Sequence, residues 1–109
     1  METLRVLGQV APASATDTTL YTVPASRATV TSRLNICNRG NVEGTFRVAV
    51  RPAGAAIANQ HFLFFDAPLS PNHTYPDFPG LTLAATDAIT VRASTADFTF
   101  QLFGSEVVV

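Results

Sequence analysis

The side chains that could do chemistry are few and dispersed. Ser70 and Ser105, His61 and His73, and Asp66, Asp77 and Asp87 are the residue types that a hydrolytic triad combines as nucleophile, base and orienting acid. Nothing in the sequence gathers them, because the chain has no Gly-x-Ser-x-Gly elbow and no glycine-rich phosphate loop. One cysteine, Cys37, excludes an internal disulfide, and its spacing from His61 and His73 fits no zinc pattern. The three aspartates form no calcium loop and are expected to cap turns through their side-chain oxygens. The expectation is a protein without catalysis, metal or cofactor, whose work is contact.

Composition narrows the kind of contact. Of 109 residues, 47% are hydrophobic and 14% charged, well below the charged share of an average soluble domain. A neutral, rather apolar surface of that sort tends to be covered by a partner, so assembly is expected. All seven basic residues are arginine, which suits interfaces through its planar fork. A net charge of −1 argues against nucleic-acid binding. Arg33, Arg47 and Arg51 could share a solvent face. No apolar run approaches the roughly 20 residues of a membrane-spanning helix. Met1 to Arg5 carries an acid and lacks an apolar core, so no secretory leader is expected and synthesis is placed in the cytoplasm.

The elements that must position these contacts are strands. Short alternating runs bounded by Gly, Pro, Asn and Asp fill the chain, which predicts a single all-β domain over 1–109. Its fold class is an antiparallel two-sheet β-sandwich, jelly-roll-like, of about eight or nine short strands. Val30, Leu34 and Ile36 share a parity in 28–37 and are predicted inward. So are Phe46, Val48 and Val50, then Ile89, Val91 and Ala93, then Phe98, Phe100 and Leu102, while Cys37 falls at the opposite parity to its core neighbours. Asn38 to Glu43 and Ser94 to Asp97 read as hairpin loops.

Three segments are candidate interfaces. Leu4 to Val10 is a first strand with Leu4, Val6 and Gly8 on one face. The small-residue linker 11–17 after it allows either an N-terminal arm (1–17) paired with a neighbouring subunit or a crossover within one sandwich. His61 to Phe65 is apolar at every position after the histidine, so Phe62, Phe64 and Phe65 belong either to a central core strand or to an interface strand. Leu69 to Gly80 holds three prolines and is read as an extended loop that displays Tyr75 and Phe78 at the surface.

Particular strings carry a resemblance. Leu20 to Ala25, Leu34 to Arg39, Phe46 to Gly54, Asn59 to His61, Leu81 to Asp87, Val91 to Ser94 and Leu102 to Glu106 resemble small virion proteins of tailed bacteriophages over nearly the whole chain. The resemblance implies a non-enzymatic structural protein of the virion. The first expectation is a cement or decoration subunit on the outer capsid surface, with the major capsid protein as partner and a homotrimer as the favoured unit. The alternative is a tail, baseplate or fibre-tip component that takes part in host adsorption. Where such proteins tend to have a plain polar turn, this chain has Tyr75 to Gly80.

Overall fold

The structure, a computed structural model, describes residues 2–75 and 80–108. Nine strands are present among them: β1 (Glu2–Val10), β2 (Thr18–Thr22), β3 (Arg27–Asn38), β4 (Gly44–Arg51), β5 (Phe62–Leu69), β6 (Thr74–Tyr75), β7 (Thr82–Leu83), β8 (Ala88–Ala93) and β9 (Phe98–Val108). They form two antiparallel sheets. One has the order β1-β9-β3-β6, with β7 also on β3; the other has the order β2-β8-β4-β5. The pairs β4·β5, β3·β6, β2·β8 and β1·β9 are nested like the rungs of one long ribbon. The ribbon is rolled so that β9 also joins β3 and β8 joins β4, which is the jelly-roll arrangement.

The core lies between the sheets. Leu34 and Ile36 of β3 meet Phe98, Phe100 and Leu102 of β9 on the inner face of the five-stranded sheet. Phe46, Val48, Ile89, Val91 and Ala93 come from the four-stranded sheet. The Phe46 ring stands 6.3 Å from Phe98 and 5.9 Å from Tyr75, so aromatic groups join the two layers.

Two bulges decide which residues reach that core. Ser32 of β3 and Leu7 of β1 are extra residues in their ladders, and the two interruptions flank Phe103 of β9, at its steps to Gly104 and to Leu102 respectively. An extra residue reverses the alternation beyond it. Val30 therefore points outward and is 51% exposed, whereas Thr29 and Thr31 are buried. The inward expectation for Val30 is thus overturned, while Leu34 and Ile36 are inward as expected. In β1 the same effect turns Leu4 and Val6 outward and sets Gly8 opposite the inward Leu102, so these three do not share a face.

Four further expectations are corrected. Asn38 to Glu43 and Ser94 to Asp97 are not hairpins, since β3 and β4, like β8 and β9, lie in different sheets. Turn residues set a change of direction without choosing the partner. β5 is an edge strand rather than a central one, with Leu63 and Phe65 exposed. Arg33 lies on the five-stranded sheet and Arg47 and Arg51 on the four-stranded one, so the three do not gather. The segment from Leu69 on is not free of ladder, because Thr74 and Tyr75 bridge to Cys37 and Ile36 between the prolines.

The segment 11–17 crosses from one sheet to the other. Ala15 N donates to Ala93 O at 2.8 Å and Ser14 Oγ to Ser94 O at 2.9 Å, and β1 pairs with β9 of its own chain.

Candidate functional site

The interface candidates separate into two outward faces and the interior. Leu4 and Val6 stand on the outer face of the five-stranded sheet, 79% and 47% exposed. Register places Leu4, Ser105 and Val30 in one row across three strands, and Val6, Phe103 and Arg33 in the next. A groove of about 320 Å³ lies there, lined by Leu4, Val30 and Phe103 above the small residues Gly104 and Ser105. An exposed apolar patch of this kind on one face of a sheet is a surface that a partner can cover.

The second face belongs to β4 and β5. Residues 65 and 66 together oppose Arg47, and Asp66 takes a left-handed φ of 53°. This bulge sends Phe65 outward, 57% exposed, where its ring meets Phe62 edge to face at 4.9 Å. The Arg47 guanidinium lies 4.0 Å above the Phe65 ring and reaches Asp66 with two hydrogen bonds, of 2.7 and 3.2 Å. Those bonds hold the Asp66 carboxyl below the usual carboxylate range. Asp66 is thus a partner for arginine instead of a turn cap. Asp87 does cap, accepting from Ala53 N and Ala84 N.

Phe64 and Tyr75 face inward. Their rings are 5.3 Å apart and both pack on Phe46, so Tyr75 is not the displayed aromatic that the proline-rich segment suggests. Its two-residue pairing with β3 turns it into the core. Phe78, with Asp77, lies outside the described residues.

The triad types are used separately. His61 Nδ1 accepts from Ala58 N at 3.1 Å, and His73 Nδ1 lies 2.8 Å from Pro71 O. Ser105 sits on the outer face of the five-stranded sheet, in the row of Leu4 and Val30. Cys37 is half-buried on that face, opposite Thr74 and Thr99. Among the described residues no three His, Cys, Asp or Glu side chains gather at metal-binding range.

A buried polar cluster escaped the reading of the sequence. Glu106 of β9 points inward and is 2% exposed. Tyr21 Oη donates to its Oε2 at 2.5 Å and also contacts Thr29 Oγ1 at 2.8 Å. Arg5 Nη1 lies 3.3 Å and Arg27 Nη1 3.8 Å from Oε1. A carboxylate taken out of water demands such partners. Burial first, and the bond to Glu106 second, push the Tyr21 hydroxyl up to about 12. The signal was present in the even-numbered inward series of β9, Phe98, Phe100 and Leu102, which continues through Gly104 to Glu106.

No family model, curated protein or solved structure matches the chain.

Proposed function

We propose that this protein is a non-enzymatic accessory protein of a tailed-phage virion, a cement or decoration subunit that binds the assembled shell and stabilises it. The observation that carries the reading is the uncovered apolar face of the five-stranded sheet, where Leu4, Val6 and Val30 stand outward around the Phe103 groove. Side chains so exposed on one sheet are suited to a partner surface. The strings that resemble phage virion proteins support the same reading. So does the jelly-roll order, which viral capsid domains share, although a fold alone assigns no function. Many copies, each burying a modest interface, would stabilise a shell by mass action.

The test is co-sedimentation of the purified protein with heads that lack it, with tails sedimented separately. Saturable binding to heads, in copies that scale with capsomers, is the expected result. Binding to tails alone would overturn it and move the protein to the adsorption apparatus.

A further inference from the structure

We infer that the free edge of β1 is the strand-receiving edge of this protein. It would pair with an extended segment of the shell partner that carries alternating apolar residues and a carboxylate opposite Arg5. The inference deepens the capsid reading and rests on it.

A sandwich of two open sheets has exposed edges, and folded proteins guard them. Three of the edges here are guarded. β5 is broken by register shifts, by Asp66 in the left-handed region and by Pro68. β2 has five residues, a register shift and Pro24 just beyond its end. β6 and β7 have two residues each. β1 is different. It has nine residues and no proline, and from Glu2 to Val6 its register with β9 is unbroken. Its outward side chains there include Leu4, the most exposed of the large hydrophobic residues among the described ones. A strand added at this edge would gain main-chain hydrogen bonds and continue the apolar face of Leu4, Val6, Val30 and Phe103.

Charge selects the occupant. Arg5 and Arg27 share one acid, Glu106, and Arg5 keeps about half its surface in water. The Tyr21 hydroxyl beside them stays protonated at neutral pH, so the cluster carries one positive charge in excess. Arg5 is on the edge strand itself, within reach of an incoming carboxylate. A second copy fits less well. Edge-to-edge pairing of two β1 strands would bury on the order of 600 Å² in total, a strand about 30 Å long by about 10 Å of sheet thickness on each side, half of a stable interface. A twofold centred on Arg5 would also oppose the two guanidiniums.

The experiment is hydrogen exchange read by mass spectrometry on the protein free and bound to heads that lack it, together with binding of Leu4→Glu. The expected result is at least about tenfold slower exchange in the peptide spanning Glu2 to Val10 on the heads. Leu4→Glu should bind at least about tenfold more weakly at an unchanged melting temperature, and wild-type binding should weaken as salt is raised. Binding with exchange in β1 unchanged, or with protection confined to β5, overturns the inference and leaves the capsid reading standing. Protection of β1 in the free protein that grows with concentration, with a dimer in light scattering, overturns the choice of occupant. Failure to bind heads overturns both.

Discussion

Tyr21 and Glu106, 85 positions apart, meet inside the sandwich, where the phenol donates to the carboxylate at 2.5 Å and links the four-stranded sheet to the five-stranded one. The bond closes a network with Thr29, Arg5 and Arg27 that leaves the acid paired despite its burial. Tyr21→Phe keeps the ring and removes the donor. It should cost about 1.5–3 kcal/mol, the range for a hydrogen bond to a charged group, read by urea denaturation at pH 7.

The same pair makes a prediction at high pH. The folded Tyr21 hydroxyl titrates at about 12 against an ordinary value of 10.0, so the unfolded chain gives up its proton first. The stabilisation is therefore fully present below pH 10 and is lost as the pH rises through 12. Water at the mouth of the cluster, where Arg5 is exposed, reduces the effect to on the order of 1–2 kcal/mol. Denaturation midpoints measured across that window should fall in the wild type and stay flatter in Tyr21→Phe.

Leu34 and Val30 test the bulge between them. Leu34 is fully buried, and Leu34→Ala should cost about 2–5 kcal/mol through lost transfer energy and a cavity. Val30→Thr places a hydroxyl on the outer face and should change stability by less than about 0.5 kcal/mol. Equal, large losses at both positions would mean that β3 runs without the extra residue at Ser32.

The contrast between Leu34 and Val30 shows what local pattern could and could not disclose. Alternation gave the strands and the inward set of β8 and β9, because a half-buried strand writes its faces into every second residue. It failed at Val30 because one extra residue, invisible to pattern, reverses every face beyond it. Asn and Gly marked 38–43 as a turn, yet the partner of β3 is β9, some sixty residues on, and turn chemistry carries no information about that choice. The candidate interface was legible in part. Leu4, Val6 and Phe65 are outward, whereas Phe64 and Tyr75 close on Phe46, since aromatic residues serve a core as readily as a surface. Glu106 was missed because a charged residue reads as a wet position unless the parity of the whole strand is followed to its end.

Asn38 anchors the crossover that turn chemistry alone mistook for a hairpin. The residue is fully buried; its Nδ2 donates to Val42 O and Leu69 O at 3.0 and 3.1 Å, and its Oδ1 accepts from Gly40 N. Asn38→Ala would leave these backbone groups without that partner and should cost about 2–4 kcal/mol, more than one ordinary hydrogen bond, in a denaturant titration. Asn38→Asp keeps the acceptor but loses both donations, so it should not restore stability.

Asp66 separates backbone geometry from charge at the exposed Phe65 face. The left-handed conformation at φ 53° is tolerated by Asp and Asn but strained for a β-branched residue. Asp66→Asn should keep the bulge and a melting temperature close to wild type, since an exposed ion pair contributes little. Asp66→Val should lower the melting temperature by about 5 °C or more, through strain in the bulge. The hydrogen bonds from Arg47 depress the folded pKa of Asp66, so the small charge-dependent stabilisation is present above the ordinary carboxylate range and is lost as the pH falls through the folded value. An NMR titration should place the Asp66 midpoint below that range in the wild type and move it upward in Arg47→Gln. If Asp66→Asn proved as damaging as Asp66→Val, the charge rather than the backbone would be holding Phe65 outward, and the Arg47 contact would be the cause of the bulge instead of its result.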